Sequence, residues 1–253
     1  MNHKTIIIPD LHGISLWKDI LNQENTWDKI IFLGDYLDSF NIPGMQQLEN
    51  LMDIIEFKKA NHDKVVLLYG NHELHYVKGM NEQYSGYQSG MAYQFQFVLD
   101  DYKHLFQIAY RQDEYLFSHA GISDEWLTHS VGGYWHVDNV VNKVNELYLY
   151  QPYHFHIQPG QSYCGDETYQ GPLWIRPKSL MKANKQSDIK KKYIQIVGHT
   201  HLGQIDFRGK STGGRYYFVD CLGEYGGEYL TINNGHLKLN VIKKHKPKHP
   251  AYE

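Results

Sequence analysis

Cysteine is nearly absent from this chain of 253 residues, which has only Cys164 and Cys221. Two cysteines cannot form a disulfide framework, and they are read as reduced thiols of a cytoplasmic protein. Long apolar runs are missing as well. Nothing approaches the ~18 residues of a membrane span, and Met1-Asn2-His3-Lys4-Thr5 leads into an apolar run too short for a secretory signal. Arginine is scarce, with Arg111, Arg176, Arg208 and Arg215 alone, and the formal net charge is -3 at a pI near 6.6. That balance excludes an extended nucleic-acid surface. The basic C-terminal stretch, residues 243–253 with Lys243, Lys244, Lys246 and Lys248, is expected to be a solvated tail.

What the chain has in quantity is histidine and tyrosine, 16 and 21 residues. Many imidazoles with few thiols point to metal ligation by nitrogen and carboxylate, not to thiolate zinc. At 42% hydrophobic residues there is ample material for a core, and a single domain over 1–242 is expected.

Ile6-Ile7-Ile8, Lys29 to Leu33 and Val65 to Tyr69 are short apolar runs of buried-strand type. Between them, helices are expected over 16–22, capped by Ser15, and from Gly44 to Ala60. Strand, loop, helix, strand is the pattern of a parallel or mixed sheet. The stretch Glu82 to Ala109 reads as mostly helical. Tyr115 to Phe117 reads as a strand, followed by a helix capped by Ser123 and another over 136–150. Residues 151–177 lose periodicity and form either a site-lining segment or a surface loop. The lysine-rich stretch 182–192 is expected to be a solvated loop and helix end. Tyr193 to Val197 is the last long-range strand. Alternating runs at 204–208, 215–220, 228–233 and 236–242 then suggest an antiparallel half, with a tight hairpin at Asn233-Asn234-Gly235.

Each apolar strand runs into polar residues at its carboxyl end, where open α/β sheets place their sites. These are Asp10 and His12, Asp35 and Asp38, Asn71 and His72, His119, and His199 with His201. Any one alone is an ordinary structural motif. Together they offer carboxylates, an amide and imidazoles, a donor set suited to a pair of divalent ions. Two ions ~3.5–4 Å apart need a shared carboxylate, and Asp35 is the candidate. His72 directly follows a candidate ligand, so its ring points beside the metals and not at them. A neighbouring Asp38 would favour its protonated form, as a general acid requires.

The ordered series Asp10-x-His12, Gly34-Asp35-x-x-Asp38, Gly70-Asn71-His72-Glu73, His119-Ala120-Gly121 and Gly198-His199-x-His201 resembles the signature of the calcineurin-like metallophosphoesterases. Within that superfamily it looks most like the bacterial and phage branch of the serine/threonine phosphoprotein phosphatases. The resemblance implies an α/β fold of four layers, αββα, with two mixed sheets flanked by helices. It also implies two divalent ions, manganese first, with iron, zinc, nickel or cobalt also admitted. One ion would take Asp10, His12, Asp35 and His201, and the other Asp35, Asn71, His119 and His199. His72, oriented by Asp38, would be the proton donor. The implied activity is hydrolysis of phosphate monoesters on a protein, peptide or small molecule by direct attack of a metal-bridging hydroxide. The alternative is a phosphodiesterase acting on dinucleoside polyphosphates, cyclic nucleotides or nucleic-acid ends. The sequence departs from the branch at Ser39 and Tyr69, where it usually carries arginines. Arg176, in a Leu-Trp-x-Arg element, is the remaining candidate phosphate clamp, with Asn71 beside it.

Overall fold

The computed structural model describes residues 3–78, 83–133, 135–157, 161–162, 164–208 and 215–243, with backbone only for 206–208. In chain order the elements are β1 (Lys4–Ile8), α1 (Leu16–Glu24), β2 (Lys29–Phe32), α2 (Gly44–Ala60), β3 (Val65–Leu68), α3 (Ala92–Tyr102), β4 (Phe106–Gln107), β5 (Ala109–Gln112), β6 (Tyr115–Ser118), α4 (Asp124–Val131), α5 (Val140–Tyr150), α6 (Pro177–Ala183), α7 (Asp188–Lys192), β7 (Ile194–Val197), β8 (Asp206–Arg208), β9 (Tyr216–Phe218), β10 (Leu222–Gly223), β11 (Gly226–Asn233) and β12 (His236–Lys243).

Two mixed sheets result. One has the order β10-β11-β1-β2-β3-β4, with β12 on β11; the other is β5-β6-β7-β9-β8. Strands β1 to β4 run parallel, with Ile7 opposite Ile31 and Phe32 opposite Leu67, while β11 joins β1 antiparallel. Period-two alternation assigns each side chain to a layer. Ile7, Ile31, Val66 and Leu68 turn inward to meet Phe117, Ile196 and Val219 of the second sheet. Ile6, Ile8, Ile30 and Phe32 turn outward onto Leu16, Trp17 and Ile20 of α1 and Leu51, Ile54 and Ile55 of α2. On the far side Val197, Tyr216 and Phe218 pack under Leu180 of α6. Helix, sheet, sheet, helix is the expected layering. Each fully buried isoleucine contributes roughly 1.5–3 kcal/mol of apolar transfer, so the inner layer holds the two sheets in register.

Several local expectations need correction. Of the Glu82 to Ala109 stretch, Glu82 lies outside the described residues, and 83–109 is α-helical only over α3, with 3-10 turns at Ser89–Met91 and Lys103–Leu105. Gly86 and Gly90 interrupt it, and Phe106 and Gln107 pair parallel with β3. The stretch 182–192 is not simply solvated. Asn184 is buried, donating to Ile122 O and accepting from Asp124 N, and Ser187 caps α7. The late strands are not one antiparallel half: β9 runs parallel to β7 in the second sheet, whereas β10, β11 and β12 belong to the first. The hairpin is as expected, with Asn234 and Gly235 both at positive φ between β11 and β12. Ser15 precedes α1 without a side-chain cap bond, while Ser123 accepts from Trp126 N. Beyond Lys243 the basic tail lies outside the described residues.

Candidate metal centre

The parallel strands all end at one edge, and the loops that leave them are bonded to one another. Leu11 N and His12 N donate to Asp35 O, and Gly13 N donates to Tyr36 O. Buried Glu73 accepts from Asp35 N, Tyr36 N and Gly70 N at 2.8–2.9 Å, tying the second loop to the third. His199 N donates to Asp10 Oδ2 at 2.9 Å, which joins the fifth loop to the first. Glu73 was legible as part of Gly-Asn-His-Glu, but its role as acceptor for three backbone N–H groups was not.

The turns are tight enough that His12, Asp35, Asp38 and His199 all have positive φ, between 43° and 70°. Left-handed backbone costs a residue with a Cβ roughly 1–2 kcal/mol, and Asp and His tolerate it better than most. Glycine is needed for a different reason at 70 and 198. A Cβ at Gly70 would collide with Asp35 Oδ1, and one at Gly198 with Asp10 Oδ1.

Three histidines are aimed by carbonyl oxygens, which can only accept. His12 Nδ1 donates to Leu37 O at 2.7 Å, His119 Nδ1 to Leu33 O at 2.9 Å and His199 Nε2 to Trp174 O at 2.9 Å. Each ring therefore keeps a proton on the carbonyl side and turns its other nitrogen to the cavity, where it can take a metal ion or a second proton. Asn71 Oδ1 stands 2.9 Å from both His119 Nε2 and His199 Nδ1. Asp35 Oδ2 stands 3.3 Å from His119 Nε2 and 3.7 Å from His12 Nε2, while its Oδ1 accepts from His72 N. A single carboxylate oxygen thus faces both imidazoles across the centre. Asp10 Oδ1 is buried with no hydrogen-bond partner.

Converging lone pairs and an orphaned buried carboxylate oxygen repel one another unless a cation lies between them. The donor set of nitrogen, amide oxygen and carboxylate fits divalent ions. The electrostatics carry the same signature. Burial opposes charge on His119, yet Asp35 and Asp10 push its pKa up to about 10. Burial, with the charges of His119 and Arg176, holds His199 well below the usual imidazole range and so neutral. Burial and then the Asp220 charge raise Asp10 well above the carboxylate range. Burial also opposes ionisation of Asp35, but His119 and His72 keep its pKa well below normal.

The cavity above these residues has a volume of about 540 Å³ and is lined by His12, Asp35, Asn71, His72, Gln83, Tyr84, Ser85, Trp174, Arg176, His199, His201 and Asp220. His201 lies at its rim, 72% exposed, with Nδ1 3.5 Å from Asp220 Oδ1. Ligand atoms of His12, Asp35 and His72 group within 4.8 Å of one another, as do those of Asp35, His119 and His199, and those of Asp38, His72 and His75. His201 is in none of these groups. His72 Nδ1 is 3.0 Å from Asp38 Oδ2, the expected pairing.

Arg176 lines the cavity, but two of its nitrogens are engaged. Nε donates to Cys164 O, and Nη1 to His199 O and Thr200 Oγ1. The two missing arginines are replaced by residues with other work. Tyr69 is buried against Phe106, and Ser39 Oγ accepts from Asn41 N and Ile42 N. Sequence reasoning missed Asp220, Trp174 and Tyr84. Asp220 had a signal, since it ends an apolar run as Asp10 and Asp35 do. The Trp174 carbonyl had none, because a backbone oxygen leaves no trace in composition.

Among the described residues no helix is long and apolar enough to cross a membrane. A family model described as calcineurin-like phosphoesterase matches residues 3–203. The chain resembles the solved structure of a cold-active protein tyrosine phosphatase at 18% identity and TM-score 0.58, covering 96% of this chain and 80% of that one. For a protein serine/threonine phosphatase from Saccharomyces cerevisiae the values are 16%, 0.55, 98% and 82%. For a putative diadenosine tetraphosphatase they are 14%, 0.53, 97% and 95%. At these identities the likeness establishes the fold. No curated relative matches the chain.

Proposed function

The chain belongs to the calcineurin-like phosphoesterase family and is a phosphoester-hydrolysing metalloenzyme, and from that premise we propose that it hydrolyses phosphate monoesters with two divalent ions, manganese first among them. The observation that carries the reading is the convergence on Asp35 Oδ2 and Asn71 Oδ1 of imidazole nitrogens whose far sides are fixed by carbonyls. Asp10, His12, Asp35 and His201 would hold one ion, and Asp35, Asn71, His119 and His199 the other. Bound there, the ions supply Lewis-acid charge neutralisation at phosphorus and activation of water.

The protein's own groups do the rest. His72 holds a proton for the leaving oxygen: burial opposes its charge, but Asp35 and then the bond to Asp38 raise its pKa above the ordinary imidazole value. Both favour the protonated ring, as a proton donor requires. Asp38 fixes the Nδ1 side of the ring, so Nε2 is left for the ester. Arg176 lines the cavity with Nε and Nη1 engaged within the protein, and its Nη2 would give a phosphoryl oxygen one charged donor. With one guanidinium present, a substrate bearing a single phosphoryl group suits the site better than a polyphosphate.

The paired rings of Tyr84 and Trp174, 4.5 Å apart in the cavity wall, favour the second reading, a diester or nucleotide substrate, because a base needs a flat partner. The test is a panel run with added manganese: phenyl phosphate and a phosphopeptide against bis-p-nitrophenyl phosphate and diadenosine tetraphosphate. Monoesters are expected to turn over fastest by at least about tenfold. Faster diesters or polyphosphate would replace the first reading with the second.

A further inference from the structure

Behind His72 lies a second tier of buried polar groups that the reaction as described does not use. The Asp38 carboxylate is fully buried and meets three partners: His72 Nδ1 at 3.0 Å and His75 Nε2 at 3.2 Å from Oδ2, and the Tyr76 hydroxyl donating to Oδ1. His75 and Tyr76 are in turn held by the segment that walls the cavity. Tyr84 N donates to His75 Nδ1 at 3.1 Å, and Gln88 N donates to the Tyr76 hydroxyl oxygen at 2.9 Å. Gly86, at φ +92°, lies so close over Asp38 that a Cβ there would stand 3.0 Å from the Asp38 Cβ.

The directions of these bonds follow from chemistry. A backbone N–H can only donate, so His75 Nδ1 carries a lone pair, and the proton of the neutral ring sits on Nε2, facing Asp38. Gln88 N–H likewise occupies an acceptor position on Tyr76, which sends the hydroxyl proton to the carboxylate. Burial and the Asp38 charge keep that phenol protonated. Asp38 therefore receives the Tyr76 hydroxyl proton besides His72, while His75 Nε2 packs 3.2 Å from the same carboxylate oxygen as His72 without hydrogen-bond alignment.

Resting on the assignment of His72 as the proton donor, we propose that His75 and Tyr76 are positioning residues which lock the Asp38 carboxylate against His72, and that the segment 83–88 sets their proton directions. As a water oxygen bonds to phosphorus and the P–O ester bond breaks, the proton on His72 Nε2 passes to the leaving oxygen, and the other proton stays on Nδ1, donated to the Asp38 carboxylate. If Asp38 can rotate, Nε2 swings off that line. The loss falls on substrates that need the proton and spares those that do not.

Leaving-group dependence reads this directly. In manganese-loaded enzyme, kcat for phenyl phosphate, whose phenolate leaves poorly, is compared with kcat for p-nitrophenyl phosphate, whose leaving group needs little protonation. His75→Leu and Tyr76→Phe are expected to lower kcat for phenyl phosphate roughly ten- to hundredfold and for p-nitrophenyl phosphate less than about threefold. His75→Gln, which keeps an N–H donor where Nε2 stood, is expected to recover most of the phenyl phosphate rate. Parallel loss on both substrates would mean a purely structural role and overturn the proposal, as would no loss on either. Tyr76→Phe removes a single oxygen and provides the same reading if His75→Leu does not fold. His72→Asn in the same assay separates the two levels. A leaving-group split there without one at 75 or 76 removes only the positioning role, whereas no split at His72 removes the proton-donor assignment and this proposal together. Wild-type enzyme inert toward both esters removes the monoesterase reading itself.

Discussion

The two halves of the candidate metal centre are built differently. Asp35, Asn71 and His119, with the half-buried His199, form an inner half, in which the two histidines are braced by the carbonyls of Leu33 and Trp174. His12 and His201 form a rim, their side chains 34% and 72% exposed, and His201 leans on Asp220 at 3.5 Å instead of on a carbonyl. The inner half is organised before any ligand arrives, because its rings cannot turn without losing a backbone hydrogen bond inside the protein. In the rim, His201 can reorient through water, while His12 still keeps its bond to Leu37 O. Preorganised donors hold a cation tightly, and solvated donors hold one loosely.

The largest effect is expected where the halves share a group. Asp35→Asn removes the charge that both proposed ions would share and is expected to lower kcat/KM by roughly 10³-fold or more, with metal analysis falling below two ions per chain. Retention of both ions would break the comparison at its root. Next comes the contrast itself. His119→Asn is expected to cost at least about tenfold more activity than His201→Asn, since a gap in the inner half cannot be filled by water as a gap in the rim can. Equal losses would show that exposure does not separate the halves. Chelation should resolve them as well: on titration with a chelator, one ion per chain is expected to leave well before the other, followed by metal analysis of desalted protein.

The smallest effect is electrostatic and belongs to metal-free protein. His119 has its pKa raised to about 10 from an ordinary 6.5, so its proton stabilises the fold fully below about pH 6.5 and is lost as pH rises through 10. Glu73, raised to about 7 from 4.5 by burial and then by Asp35, works in the same direction through a lower window. The thermal midpoint of metal-free protein is therefore expected to fall between pH 6.5 and 10. Saturating manganese, by taking the place of the His119 proton, should flatten that slope. A metal-free protein whose midpoint rises over this interval would contradict the picture of an inner half that needs a cation.

How legible each part was in the sequence follows from the range of the interactions. Asp10, Asp35, Asn71, His119 and His199 stand directly after apolar runs, and strand ends at one sheet edge must meet, so local pattern sufficed. The helix Gly44 to Ala60 was legible to the residue because nothing long-range interrupts its period. His75 and the Trp174 carbonyl were not legible, because what they touch is decided by segments 9 to 37 positions away, whereas Asp220 carried a signal that was passed over. The Glu82 to Ala109 stretch failed for a related reason. Its aromatics suit a helix locally, but the sheet recruits Phe106 and Gln107 as an edge strand.

The closeness of Gly70 and Gly198 to the carboxylates of Asp35 and Asp10 has an evolutionary corollary. A library of every single substitution, selected for phosphate release, should show its emptiest columns at these two positions as well as at the acids and imidazoles. Even alanine would push an oxygen out of line there. Drift in this lineage is thus constrained by places where the chain carries nothing at all, and a descendant with altered chemistry would have to change elsewhere, along the outer wall from Gln83 to Ser85, where side chains line the cavity without bearing on the two carboxylates.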